Sequence, residues 1–261
     1  MKTPIIYRPA GAAAEYATWG CNLYRGCSHG CTYCYNKRGI FSNSLGGDTP
    51  EIMAKAGGSL DKALERFKRL LDKRYDTIVR DGGIFFSFTT DPMLLDTIAG
   101  TIMCVEHALK CGVPVQILTK ATWWLDRSDV IELFYDYRNL VRVGYTLTGH
   151  DEMEPGAPQN EERIQSMQYL DDCNIPVFAS IEPVIDFPSS LAMIMEIAGS
   201  CKDIRIGLLS PYSAKRYDWN ECDRFIGKVN ELASSRNIKV YYKDSIRRFY
   251  KENAQINPTN T

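Results

Sequence analysis

Three cysteines stand close together near the start of the chain, in the run Gly26-Cys27-Ser28-His29-Gly30-Cys31-Thr32-Tyr33-Cys34-Tyr35. Their spacing, Cys-x3-Cys-x2-Cys, lets one tight loop present three soft thiolate ligands to one metal centre. A structural zinc site would need a fourth ligand, usually from a second cysteine or histidine pair, and no such pair follows in the sequence. His29 could in principle supply it, but so short a loop makes that geometry unfavourable. The pattern favours an iron–sulfur cluster with one iron left open, and an open coordination site indicates chemistry.

The other six of the nine cysteines lack paired spacing. They fall in a predicted strand (Cys21), just before predicted strands (Cys111, Cys173, Cys201) or on predicted helix faces (Cys104, Cys222). Because buried free cysteine behaves as a small apolar side chain, we expect these six to serve packing and not a second cluster. An odd, thinly spread count is typical of reduced thiols in the cytoplasm.

Composition narrows the class of protein. With 44% hydrophobic and 24% charged residues, the 261-residue chain has the make-up of a globular protein with a sizeable core. The 31 basic and 32 acidic residues leave a net charge of −1, so any contact with nucleic acid must be local. No apolar run approaches the ~20 residues of a membrane helix, and Met1-Lys2-Thr3-Pro4 leads into no signal peptide. We therefore predict a soluble cytoplasmic protein without membrane contact.

Short strands alternate with helices from about residue 83 onward, the pattern of βα units in a parallel sheet. Strands are predicted at Ile84–Phe88, Val115–Leu118, Leu140–Leu147, Val177–Ile181 and Ile204–Leu208, with Trp19–Leu23 as an earlier first strand. Helices are predicted to begin near Ser59, Ile98, Asp129, Glu161, Pro188 and Asn220. Six such units are fewer than the eight of a closed barrel, so we predict an α/β fold, a partial (β/α)6 barrel.

The chain carries no internal repeat and no low-complexity linker. We therefore predict a single domain over residues 1–252, followed by a polar C-terminal tail over 253–261. Residues 36–58 are predicted to form a long glycine-containing loop after the first strand, and structureless loops of that length are usually functional or mobile.

The cysteine motif resembles that of the radical S-adenosylmethionine superfamily, Cys-x3-Cys-x-aromatic-Cys in the loop after the first barrel strand. Its surroundings are similar to the group that includes spore photoproduct lyase and the DNA repair photolyase-like proteins. The similar segments are Asn22–Cys27, His29, Tyr33–Tyr35, Thr90–Pro92, Thr119–Lys120 and Glu154–Pro158 with Arg163. The resemblance implies a partial barrel of the radical S-adenosylmethionine type.

The same resemblance implies a [4Fe–4S] cluster on Cys27, Cys31 and Cys34, with S-adenosylmethionine on the fourth iron. One electron, from a donor such as flavodoxin or ferredoxin, would release a 5′-deoxyadenosyl radical that abstracts a hydrogen atom from a substrate. The hard chemistry would belong to the cofactors, while the protein positions them and excludes water.

Barrel enzymes place their chemistry at the C-terminal ends of strands, and the resemblance adds cofactor contacts there. Lys120 would meet the carboxylate of S-adenosylmethionine as a point charge, Tyr33 the adenine, Thr90 and Thr146 other polar groups of the cofactor. Each also has a plain structural explanation: a solvated cation, ring packing, a turn before a helix, and a β-branched strand residue. Glu182 is unusual in an apolar strand because an unpaired buried carboxylate is costly; it contacts cofactor or substrate, or else is a paired structural acid.

The substrate is not identified by these residues, and catalytic residues stay unassigned. Tyr35 could line the substrate side, and Ser210 and Tyr212 follow the sixth strand. In spore photoproduct lyase, the position resembling Phe88 holds a cysteine that returns a hydrogen atom to the product radical, which phenylalanine cannot do. A basic and aromatic stripe over residues 239–251 could stack on nucleic acid, although aromatic-rich terminal helices more often close a barrel.

Three hypotheses follow from the sequence. The leading one is a radical S-adenosylmethionine enzyme that acts on an unidentified substrate. The second is a DNA photoproduct lyase-like repair enzyme, which would make nucleic acid a partner. The third is a non-enzymatic iron–sulfur or zinc module that organises a loop for a partner.

Overall fold

The computed structural model describes residues 4–38, 42–210 and 214–254, so Tyr212 and residues 255–261 of the predicted tail lie outside the described residues. The strands are β1 (Ile6–Tyr7), β2 (Gly20–Cys21), β3 (Tyr24–Arg25), β4 (Glu51–Ile52), β5 (Ile84–Phe86), β6 (Val115–Thr119), β7 (Val141–Thr146), β8 (Val177–Val184), β9 (Asp203–Leu208) and β10 (Lys239–Tyr242). The helices are α1 (Ser42–Leu45), α2 (Leu60–Arg80), α3 (Ile98–Lys110), α4 (Ser128–Asp136), α5 (Asn160–Asp172), α6 (Phe187–Ile197), α7 (Trp219–Arg236) and α8 (Asp244–Ala254). No helix in this described part of the chain combines the length and apolarity needed to cross a membrane.

The main sheet confirms the α/β partial barrel. Its strand order is β1-β2-β5-β6-β7-β8-β9-β10. From β2 to β10 each strand pairs in parallel with its neighbour, while β1 runs antiparallel to β2 at one edge. Parallel neighbours need a crossover connection, and α2 to α7 supply it. Strand order thus follows chain order, so the C-terminal ends of the parallel strands meet at one face.

Two segments differ from the prediction. Lys239–Tyr242, expected within terminal helices, forms the parallel edge strand β10 beside β9, because its β-branched and aromatic side chains suit a half-buried pleated surface. The predicted loop 36–58 contains α1 and β4, and β4 pairs with β3 next to the cysteine motif. Helix α8 continues through Ala254, beyond the start of the predicted tail.

Helix starts follow from local chemistry. Asp186 accepts a hydrogen bond from the backbone N–H of Ser189 at 2.7 Å and so caps α6, where Pro188 occupies the first turn. Asp218 caps α7 in the same way through Glu221. The helix predicted near Ser59 is present as α2, and its apolar face buries Phe67 and Leu71 fully.

The two faces of the sheet have opposite characters. Apolar side chains such as Ile117, Val143 and Ile206 are fully buried against the helices, and burying each one contributes about 1.5–3 kcal/mol. The other face lines the barrel interior with polar groups. There Arg205 donates to the Gln116 side chain at 2.9 Å. The strand alternation thus places an apolar core outside the barrel, while polar groups and buried rings such as Phe178 share its interior.

The N-terminal segment links the two edges of this open sheet. After edge strand β1, Tyr16 reaches the interior, where the Arg205 guanidinium donates to its carbonyl at 3.1 Å. The Glu15 carboxylate accepts from the backbone N–H of Asp244, two positions after the end of β10, at 2.6 Å. Residues 8–18 therefore span the side that a partial barrel leaves open.

Candidate cofactor site

The cysteine loop follows β3 and lies against the segment that leads to β4. Cys31 is buried with Tyr33 and Leu209, while Cys27 and Cys34 are half-buried. The backbone N–H of Cys27 donates to the Gly47 carbonyl at 2.9 Å. Gly26 has φ +78°, and a Cβ there would lie 2.3 Å from a neighbouring backbone oxygen, so this close approach requires glycine. The structure thus fixes the loop from its first cysteine onward.

All nine cysteines are free thiols. Burial raises the pKa of Cys27 to about 11 and also raises the pKa of Cys31, while the nearby Lys120 ammonium lowers both. Three free thiols on one loop, two of them beside a cation, match the donor chemistry of an iron–sulfur cluster. Among the described residues, no three His, Cys, Asp or Glu side chains are arranged around a point that could hold a single metal ion.

His29 ties the cysteine loop to two barrel strands. Its Nε2 lies 2.8 Å from Asp91 Oδ2, after β5, and its Nδ1 lies 3.0 Å from the Gly156 carbonyl, after β7. Both ring nitrogens are therefore engaged by protein acceptors. Asp91 in turn accepts from Thr119 Oγ1 at 2.6 Å and from the backbone N–H of Lys120 at 2.7 Å. One buried carboxylate thus joins the cysteine loop to the ends of β5 and β6.

The Asp91 carboxylate is ionised over the physiological pH range. Burial raises its pKa, but His29 and the hydrogen bonds from Thr119 and Lys120 outweigh burial and lower the pKa to about 2. A carboxyl group whose pKa is lowered by folding stabilises the fold at pH values above its pKa in the unfolded chain. That stabilisation is lost as the pH falls through about 2. Neighbouring Thr90 is also buried, and its hydroxyl makes only a long 3.4 Å contact, to the Asp91 carbonyl. The turn predicted before Pro92 is present, because Asp91 also accepts from the Met93 N–H at 2.9 Å.

Tyr33 and Lys120 meet at a second buried carboxylate, that of Glu154. The Tyr33 hydroxyl donates to Glu154 Oε1, and Lys120 Nζ lies 3.7 Å from the same oxygen and 5.6 Å from the centre of the Tyr33 ring. Arg163 donates to Glu154 Oε2 at 2.5 Å and to the Thr146 carbonyl at 2.7 Å. Burial raises the pKa of Glu154, but Lys120 and Arg163 outweigh it and lower that pKa. These contacts bring three of the five predicted cofactor residues into one network, Tyr33 and Lys120 by their side chains and Thr146 by its backbone carbonyl.

Glu182 lies in a separate cluster inside the barrel. Its carboxylate accepts from Lys243 Nζ at 2.6 and 2.8 Å and from the Tyr16 hydroxyl at 2.6 Å. Lys243 follows β10 and its side chain is only 2% exposed. Sequence analysis misses both partners, because Lys243 falls in a stripe expected either to stack on nucleic acid or to close the barrel, and Tyr16 belongs to no motif. Of the two interpretations of Glu182, the structure shows the paired acid, and its contact with a cofactor stays a prediction.

Tyr16→Phe should destabilise the protein by about 1.5–3 kcal/mol, the usual worth of a hydrogen bond to a charged group. The hydroxyl donates to Glu182 and lies 2.5 Å from Ser180 Oγ, and the change leaves the Glu182–Lys243 pair intact. Urea unfolding measures the difference. The matched control is Tyr135→Phe, because Tyr135 is 47% exposed and such surface changes shift stability by less than about 0.5 kcal/mol. Equal stability of the two variants would contradict the role of Tyr16.

Comparison with known families decides the identity of the fold and the motif. The family model of the Radical SAM superfamily matches residues 21–201, which include all three motif cysteines and the strands from β3 through β8. This chain belongs to the radical SAM superfamily. No curated protein matches it in sequence.

Several solved structures share this fold. A spore photoproduct lyase mutant with bound AdoMet and dinucleoside spore photoproduct superposes with a TM-score of 0.63 at 12% identity, covering 90% of this chain and 78% of that one. Spore photoproduct lyase complexed with dinucleoside spore photoproduct gives 0.62 at 13% identity, with the same coverage. Streptococcus suis SuiB bound to S-adenosylmethionine gives 0.60 at 12% identity, covering 88% of this chain and 51% of SuiB. At these identities the similarity shows the common fold.

Proposed function

We propose that this protein is a radical S-adenosylmethionine enzyme that holds a [4Fe–4S] cluster on Cys27, Cys31 and Cys34. When bound, the cluster and S-adenosylmethionine supply a 5′-deoxyadenosyl radical in exchange for one electron. The observation that carries the proposal is the meeting of Tyr33, in the cysteine loop, with Lys120, at the end of β6. They meet beside free thiols of the loop that face the Lys120 ammonium. Both side chains are predicted cofactor contacts, so their meeting at the barrel face supports a cofactor site.

The protein's own residues would bind and shield the cofactor. Burial lowers the pKa of Lys120, but Cys31 and Glu154 outweigh it and raise that pKa, so the side chain is an ammonium ready for a carboxylate. The ring of the buried Tyr33 would offer an apolar face to the adenine. Close packing of Cys31, Tyr33 and Leu209 keeps water from the cluster side of the loop.

Anaerobic reconstitution tests this function directly. The protein is loaded with iron and sulfide, reduced with dithionite and given S-adenosylmethionine, and 5′-deoxyadenosine is measured by mass spectrometry. We expect about four irons with sulfide per chain and formation of 5′-deoxyadenosine. About one zinc without sulfide would instead support the structural module. A cluster-loaded protein that never forms 5′-deoxyadenosine would contradict the proposed enzyme.

Lys120→Met should weaken binding of S-adenosylmethionine about 10- to 100-fold, since a hydrogen bond to a charged group is worth about 1.5–3 kcal/mol. Iron content should stay unchanged, because Glu154 keeps its pair with Arg163. Equilibrium dialysis with labelled cofactor measures the affinity. Lys110→Met is the matched control, as Lys110 pairs with Glu106 on the exposed face of α3. Wild-type affinity in Lys120→Met would show that this lysine does not hold the cofactor.

DNA lesion repair is the second candidate function, and the fold shared with spore photoproduct lyase favours it. Two observations weigh against it. The Phe88 ring stacks on Phe85 at 4.6 Å and offers no hydrogen atom in place of a thiol. Within the basic stripe Lys243 points into the barrel, and Arg247 pairs with Asp244 at 2.6 Å. Repair predicts salt-sensitive binding to DNA, and absence of binding at low salt would exclude it.

The proposed reaction also needs an electron donor and a reducing location. We propose a one-electron protein donor of the flavodoxin or ferredoxin type, acting in the cytoplasm. Nine free thiols and an oxygen-sensitive cluster both suit such a compartment. We also propose that residues 1–252 act as one domain.

A further inference from the structure

Glu154 is a buried acid to which the proposed chemistry gives no direct task. Its side chain has no exposed surface. A carboxylate taken out of water costs several kcal/mol unless charges and hydrogen bonds compensate it. Here Arg163, Tyr33 and Thr148 all donate to it, the last at 3.3 Å. So complete a set of partners indicates that the position of this carboxylate is tightly defined.

The Arg163 side chain is held by hydrogen bonds to groups of the protein. Its guanidinium donates to Glu154, to the Thr146 carbonyl and to the Pro158 carbonyl at 2.8 Å, and its side chain is 0% exposed. The pair of Glu154 and Arg163 is therefore a fixed support built from the loop after β7 and the start of α5. A residue held in this way can locate other side chains that touch it.

Lys120 is held differently. Its side chain is 15% exposed, and Nζ lies 3.7 Å from Glu154, farther than a hydrogen bond reaches. No side-chain hydrogen bond of this ammonium to another described residue is found. Glu154 thus keeps the Lys120 ammonium in place by charge. The three N–H donors of that ammonium stay available for a ligand. Such an arrangement suits a cation that binds an anionic group of a ligand.

We infer that Glu154 is a positioning residue for the cofactor site, which holds the Tyr33 ring and the Lys120 ammonium next to each other at the cysteine loop. This inference rests on the proposed function. The acid would touch neither cluster nor cofactor. It acts through Tyr33, which it holds by a hydrogen bond, and through Lys120, which it holds by charge.

Two variants test separately the contact of Glu154 with Lys120 and its contact with Tyr33. Glu154→Gln removes the charge that holds Lys120 while nearly keeping the shape of the side chain. Tyr33→Phe removes the hydroxyl tether but retains the ring and leaves the Glu154–Arg163 pair intact. The matched control is Glu152→Gln, two positions away, whose side chain is 70% exposed. Iron content and thermal unfolding are measured for every variant beside cofactor binding.

We expect Glu154→Gln to bind S-adenosylmethionine about 10- to 100-fold more weakly, the usual effect of losing an outer partner of a metal site. Tyr33→Phe should lose roughly 10-fold, at the lower end of that range. The electron paramagnetic resonance spectrum of the reduced cluster should change less on cofactor addition than in the wild type, at unchanged iron content. A purely structural role would lower iron content and unfolding temperature together without this spectral difference.

The outcomes separate the two proposals. If the wild type and Glu152→Gln bind no S-adenosylmethionine, the proposed function fails and the positioning role fails with it. If they bind it and Glu154→Gln and Tyr33→Phe bind it equally well, only the positioning role is overturned. Should Glu154→Gln fail to fold, Tyr33→Phe decides alone, because it keeps the buried ion pair.

Discussion

Replacing Cys31 by alanine should remove nearly all of the visible absorbance of the reconstituted cluster, and with it the formation of 5′-deoxyadenosine. Cys31 is the most buried of the three motif thiols, 7% exposed, and it lies beside Lys120 and Glu154. Because a cluster of this kind is held by cysteine thiolates alone, two remaining thiols leave two of its irons without protein ligands. Absorbance near 400 nm and iron content per chain, measured after anaerobic reconstitution, report the loss.

Cys111→Ala is the matched control for this experiment. Cys111 is also partly buried, but it follows α3 at the opposite end of the barrel, where its sulfur lies 3.7 Å from the His107 ring. This variant should take up the same amount of iron as the wild type. A full cluster in Cys31→Ala would show that the ligands have been assigned wrongly.

Asp91→Ala should lower the free energy of unfolding by about 3–5 kcal/mol, because each buried polar group left without a partner costs about 1–3 kcal/mol. The change leaves His29 Nε2, the Thr119 hydroxyl and the Lys120 N–H without their shared acceptor. Since His29 belongs to the cysteine loop, the loop should also lose its attachment to β5 and β6. Urea unfolding of the metal-free protein, kept reduced, measures the stability at pH 7.

The pH dependence of stability gives an independent check on Asp91. In the wild type, the lowered pKa should contribute about 2 kcal/mol above pH 4, lost as the pH falls through about 2. Asp91→Asn should lack that component. Asp129→Ala is the control, since Asp129 is exposed and, among the described residues, bonds only to Arg127 and the local backbone, so this change should leave the stability nearly unchanged. A loss below 1 kcal/mol in Asp91→Ala would contradict its role in holding the loop.

The sequence alone determined the fold class and the motif. Alternating apolar strands and amphipathic helices predicted the parallel sheet, because the two periods are local properties of the chain. The spacing of Cys27, Cys31 and Cys34 is also local, so it identified the superfamily before any contact was known. Strand β10 was missed, since an edge strand of four half-buried residues carries only a weak alternation signal.

Only the tertiary structure decided how the site is held together. His29 meets Asp91 across 62 positions, Tyr33 meets Glu154 across 121, and Glu182 meets Lys243 across 61. No local period encodes such pairs, because each depends on which strand ends the parallel sheet brings side by side. Burial explains why these pairs form. A lone carboxylate in the interior is costly, so Asp91, Glu154 and Glu182 each need donors, which distant segments supply. The residues that could do chemistry can be recognised in the sequence, whereas the contacts that hold them in place are set by the fold.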